Sequence, residues 1–129
     1  KIGRVFYRKD KFRFLKMLKL NKFFIQSIKK DDGWIDDPNS FNYNKLIKLN
    51  KKFNIESGYE NLFRKDEVYD IVIEIKYNTN PTIRGKGSAI FIHLSFKDKR
   101  STKGCIAMDK KELIYILQKL DKDTVIEII

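Results

Sequence analysis

The chain has 129 residues, 42% of them hydrophobic, with 10 Phe, 6 Tyr and 1 Trp, enough for one modest core and not the composition of a disordered chain. Its net charge of +11 is gathered at the front: residues 1–30 hold 11 Lys and Arg against the single acid Asp10, whereas residues 31–129 hold 17 against 16. One cysteine excludes an internal disulfide and a multi-thiolate zinc site, and no apolar run is long enough to cross a bilayer.

Taken from the amino end, Arg4–Tyr7 and Lys11–Leu15 partly alternate and are expected as short strands. Residues 16–28 fit a strand or a helix equally. Residues 31–44 (DDGWIDDPNSFNYN) are rich in turn-forming Asp, Gly, Pro, Asn and Ser and are expected as a loop. Lys45–Asn54 is basic with little pattern, and Glu56–Lys65 is expected as a short helical turn running into a loop. Asp70–Tyr77 is the clearest strand: Ile71, Ile73, Ile75 and Tyr77 share one face, with Val72, Glu74 and Lys76 on the other. A turn-rich link over 78–87 leads to Ser88–Leu94, apolar on both faces and therefore expected at the centre of a sheet. The polar loop 95–104 then returns the chain to Cys105. Asp109 with Glu112 forms a capping-box pattern, followed by the helical stripe Leu113, Ile116, Leu117 and Leu120. Thr124–Ile129 is expected as a closing strand. The sum is mainly β with one or two helices, in a β-sandwich or barrel-like core.

Two residues stand out chemically. His93 and Cys105 are the only histidine and the only cysteine, and they lie twelve residues apart. A polar loop of that length can fold the thiol back over the strand end. A free thiol titrates near 8.5 and attacks as the thiolate, so a neighbouring imidazole that accepts its proton would make it a nucleophile, held as an ion pair. Gly104 lets the backbone turn sharply and offer amides to a developing oxyanion. From the residues alone, a satisfied core histidine and an inert buried thiol stay open as readings. RGKGS (84–88) lacks the first glycine of a phosphate loop and precedes a strand, so it is set aside. Met17 and Met108 read as core, and Asp31, Asp32, Asp36 and Asp37 read as a polar turn. The basic front end reads either as a solvated lysine-rich face or as a contact for a polyanion.

STKGCIAM (101–108), preceded by IFIHLS (90–95), closely resembles the signature of the YkuD-like L,D-transpeptidases, the ErfK/YbiS/YcfS/YnhG-type catalytic domain. DKKELIYILQKL and DTVIEI resemble that family's post-catalytic helix and closing strand. DGWIDDP (32–38), NYN (42–44), YDIVIEIKYN (69–78) and GKGSAIFIH (85–93) resemble a proteobacterial-type subgroup, so the similarity runs over roughly residues 32–129. The resemblance implies Cys105 as nucleophile, His93 as general base, and the backbone of Leu94 or Ser95 as the group that orients the imidazole. It implies an oxyanion hole from the amides of Lys103, Gly104 and Cys105, and substrate contacts at Tyr77, Asn78 and Thr102.

The implied reaction is acyl transfer on peptidoglycan stem peptides, through a cysteine thioester that an amine on a second stem captures. Capture by water would make a carboxypeptidase instead. No metal or organic cofactor is implied. The resemblance places the protein in the periplasm or cell envelope, peripheral to a membrane at most, with no nucleic-acid partner expected. Residues 1–129 read as a single catalytic domain lacking the family's first strands. Two departures stand out: Ala107 replaces the Arg or Asn that many relatives carry, and the His-to-Cys spacing is short. The alternatives are a family member without activity that only binds wall peptides, and a basic module that binds wall polymer or nucleic acid.

Overall fold

The computed structural model describes residues 1–12, 24–49 and 58–129. Among them, eight strands form two sheets and there is one helix, which gives the mainly β architecture expected from the sequence.

The larger sheet is built on β6 (Ile71–Ile75), which is buried on both faces. It pairs antiparallel with β1 (Ile2–Tyr7) on one side and with β7 (Phe91–Leu94) on the other. Parallel edge strands extend the sheet: β2 (Ile25–Ser27) beside β1, and β8 (Ile106–Met108) beside β7. The alternation in β6 has a direct use. Ile71, Ile73 and Ile75 pack with Val5, Ile92, Leu94, Leu113 and Leu117 on one face. Val72 faces the other core, with Phe6, Trp34, Leu62 and Phe91. The one acid on that second face, Glu74, is buried and accepts the Arg4 guanidinium at 2.9 Å, so its charge is matched.

The helix α1 (Lys110–Lys119) covers the first face. Asp109 caps it, and Glu112 reaches back to accept the Asp109 amide at 3.3 Å. Leu113 and Leu117, one turn apart, are fully buried. The smaller sheet covers the second face. Its centre is β3 (Asp32–Ile35), flanked antiparallel by β4 (Leu46–Lys48) and β5 (Tyr59–Asn61).

Several local expectations are corrected. Residues 32–35 form a buried strand and not a loop. Asp32 and Gly33 look like turn residues, but the contacts they and Trp34 make outweigh that preference: the Asp32 carboxylate takes the Lys29 amide at 2.8 Å and Lys48 Nζ at 2.5 Å, while Trp34 is buried against Phe91. Strands form at 46–48, within the stretch read as patternless, and at 59–61, within the segment read as a helical turn running into a loop, while 50–57 lie outside the described residues; Ile106–Met108 adds a strand that the sequence did not signal. Conversely, residues 124–129 form no strand, and Val125, Ile128 and Ile129 are exposed. Alternation favours an extended chain, but a strand also needs a partner ladder, and this segment has none among the described residues. Lys11 lies in a turn; Arg13–Leu15 and most of 16–28 fall outside the described residues, though Ile25–Ser27 is strand β2.

One side chain ties the sheets together. Asn44 sits in the left-handed region at φ 57°, a conformation Asn tolerates well. Its Oδ1 accepts Trp34 Nε1 at 3.0 Å and the Ala89 amide at 3.2 Å, and its Nδ2 donates to the carbonyls of Asn78 at 2.7 Å and Tyr77 at 3.1 Å. Asn44→Ala would strand two buried donors and place Ala at positive φ. Urea unfolding should show a loss of about 2–4 kcal/mol with little change in m-value.

Candidate active site

The β7–β8 register places the two reactive residues. Ile92 lies opposite Ile106 and His93 opposite Ala107. Extended by one residue, that register sets Cys105 level with Phe91, so Cys105 and His93 project from the same sheet face. They are offset by two residues along the strand, about 6.6 Å, and one strand across, about 4.8 Å. Both line one cleft of about 420 Å³, together with Glu60, Arg64, Tyr69, Phe96, Arg100, Thr102 and Lys103.

His93 is 3% exposed. Its Nδ1 donates to the Leu94 carbonyl at 2.8 Å, because a carbonyl can only accept. The proton therefore sits on Nδ1 and Nε2 is left as the basic nitrogen. Tyr69 meets the ring edge-on at 5.5 Å and Phe96 at 6.2 Å between centroids. Burial pushes the imidazole below its ordinary range, opposed by its bond to Leu94 and assisted by the Arg64 charge.

The Cys105 thiol donates to the Ala89 carbonyl at 3.1 Å. Ala89 is itself at φ 55°, held there by Asn44 on its amide. Burial pushes the thiol up; the Phe91 amide opposes this, and the Glu60 charge adds to it. Both shifts favour the neutral thiol and the neutral imidazole over an ion pair. Both groups are largely withdrawn from water, and separated charge is expensive there. Tyr69 stays protonated: burial and the Glu60 carboxylate, which accepts its hydroxyl at 3.3 Å, both push its pKa up.

The loop before Cys105 is shaped by Gly104 at φ 92°, a region L side chains avoid. Thr102 Oγ1 donates back across it to the Cys105 carbonyl at 2.5 Å. Among the described residues, no hydrogen bond engages the amides of Lys103 or Gly104.

Of the remaining residues implied by the resemblance, the Ser95 amide donates to the Met108 carbonyl, joining the strand ends. Tyr77 and Asn78 do not line the cleft. Asn78 builds the following turn, donating to Ile83 and Gly87 and accepting the Ile83 amide at 2.8 Å, while Tyr77 lies against Gly87. Sequence reasoning missed Glu60, Arg64, Tyr69 and Phe96, which sit in stretches without periodicity. They reach the cleft only through long-range packing.

The YkuD family model, described as the L,D-transpeptidase catalytic domain, matches residues 20–128. The chain belongs to the YkuD family of L,D-transpeptidase catalytic domains. Comparison with curated proteins and with solved structures gives no match.

Because Cys105 is the only thiol, its alkylation can be read without ambiguity. The iodoacetamide rate of the resting protein should climb only above the ordinary thiol range, as expected for a raised thiol pKa. Intact-mass spectrometry across a pH series checks this; a plateau already reached near pH 6 would indicate a resting ion pair.

Proposed function

We propose that the protein is a cysteine acyltransferase of the cell envelope acting on peptidoglycan stem tetrapeptides, with residues 1–129 as one catalytic domain. The observation that carries this reading is the shared cleft, where a thiol and an Nδ1-protonated imidazole project from neighbouring strands beside unengaged amides.

In the first step His93 Nε2 takes the Cys105 proton as sulfur attacks the carbonyl of the third stem residue. The thiol leaves its bond to Ala89, and charge develops on the carbonyl oxygen, toward the amides of Lys103, Gly104 and Cys105. The C–N bond then breaks, His93 returns the proton to the leaving D-alanine nitrogen, and a thioester remains. In the second step an amine of a neighbouring stem attacks the thioester, His93 takes its proton, and sulfur leaves and is reprotonated. The product is a 3–3 cross-link; water in place of the amine gives the tetrapeptide cut to a tripeptide. The lowered imidazole pKa suits a base that is free at neutral pH. Thr102 supports the loop through the Cys105 carbonyl, and Tyr77 and Asn78 contribute from outside the cleft by holding the turn next to Gly87.

Incubation with a purified tetrapeptide muropeptide should yield dimer or tripeptide with release of D-alanine. Cys105→Ala should abolish turnover and the covalent adduct formed with a carbapenem. His93→Ala should lower kcat by roughly 10²–10⁴-fold. A protein that neither turns over the muropeptide nor takes up the carbapenem, yet binds DNA or wall polymer in a salt-sensitive way, would favour the binding-module alternative.

A further inference from the structure

Resting on His93 as the base, we propose that Arg64 is a positioning residue: it clasps the two aromatic rings that hold the His93 imidazole and so fixes the direction of Nε2.

Leu94 supplies the imidazole with a single hydrogen bond, which fixes one nitrogen and leaves the ring plane to its neighbours. Those neighbours are Tyr69, at the entry to β6, and Phe96, in the loop after β7. The two loops are far apart in sequence. The Arg64 guanidinium spans them, 5.2 Å from the Tyr69 ring centroid and 5.9 Å from that of Phe96.

The guanidinium is itself anchored. Nε and Nη2 fork onto the Asp66 carboxylate at 2.8 and 2.6 Å. The Arg64 carbonyl accepts Arg8 Nη1 at 2.7 Å, and Arg8 in turn lies 3.6 Å over the Phe63 ring. A line of fixed contacts therefore runs from the end of β1 to the imidazole. Arginine is suited to this place: its planar fork keeps two bonds to a carboxylate while its face meets aromatic rings, which an ammonium cannot do at once. Arg100 also stacks on Phe96, at 4.1 Å, but its side chain is 62% exposed and its nearest acid, Asp98, stands 3.8 Å away. It lacks the anchor.

Arg64 acts on the imidazole by charge as well. The charged or titratable groups around His93 are Arg64, Glu60 and Asp66, with Cys105, Tyr69, Asp36, Arg100 and Lys103 lining the same cleft. The strands packed on either side present apolar Val72 and Ala107 at its level. Burial leads in disfavouring the imidazolium and Arg64 adds to it, while Glu60 and Asp66 oppose. Removing the Arg64 charge therefore raises the imidazole pKa.

The chain has one histidine, so its imidazole Cε1–H signal in NMR belongs to His93 alone. Titrating wild type, Arg64→Lys and Arg64→Met separates charge from clasp. Arg64→Met should move the midpoint up and carry the acid limb of kcat/KM with it. Arg64→Lys should keep the midpoint near wild type, yet lower kcat by about 10–100-fold at little-changed KM, as expected for a displaced base. Its imidazole ¹⁵N shifts should move from a single Nδ1–H tautomer toward an average of the two. Asp66→Ala, which frees the guanidinium, should give the same loss of kcat and the same averaging. An Arg64→Met midpoint equal to wild type, or Arg64→Lys with wild-type kcat and tautomer, overturns the proposal. If Arg64→Met does not fold, Arg64→Lys and Asp66→Ala decide alone. A wild type with no turnover would sink the acyltransferase reading, while the NMR midpoints and tautomers still decide the role of Arg64.

Discussion

The parallel pairing of β7 with β8 is the constraint on which the rest of the site depends. A slip of one residue would turn Cys105 to the opposite sheet face and separate it from His93. The register is held by burial on both sides. Ile92 and Leu94 pack toward α1, Phe91 and His93 toward the smaller sheet, and neither set can exchange places without exposing apolar surface or burying polar groups.

Around that pairing, the two sheets divide the work. The larger sheet and α1 form a dry apolar layer that fixes the strands. The smaller sheet brings Trp34 and Glu60 over the face that carries His93, and Asn44, just before β4, links the two through hydrogen bonds to Trp34, Ala89 and the 77–78 turn. Ala89 sits where those systems meet. Its amide is held by Asn44, forty-five positions before it, and its carbonyl takes the Cys105 thiol, so the placing of the thiol depends partly on Asn44.

The electrostatics follow from the same burial. An exposed Cys–His pair separates charge readily; this one is enclosed by Tyr69, Phe96, Phe91 and Trp34. Desolvation lowers the imidazole and raises the thiol, so burial favours the neutral form of each over separated charge.

The sequence by itself determined the parts governed by local pattern. The alternation of Ile71, Ile73 and Ile75 identified β6, the apolar run Ser88–Leu94 identified β7, which forms over its last four residues, and Asp109 with Glu112 marked the start of α1. Motif and resemblance pointed to Cys105 and His93, whose chemistry is carried by residue type. Only the tertiary structure decided the rest. Asp32–Ile35 became a strand because Trp34 and Asp32 find partners far along the chain, and 124–129 did not because no strand among the described residues pairs with it. The cleft walls Glu60, Arg64, Tyr69 and Phe96 are assembled by long-range contacts between the edge strand β5 and loops, and a pairing of that kind leaves no period in the sequence. Desolvation, too, is a property of the assembled surroundings, so the direction in which burial shifts the thiol and the imidazole could be read only once those surroundings were in place.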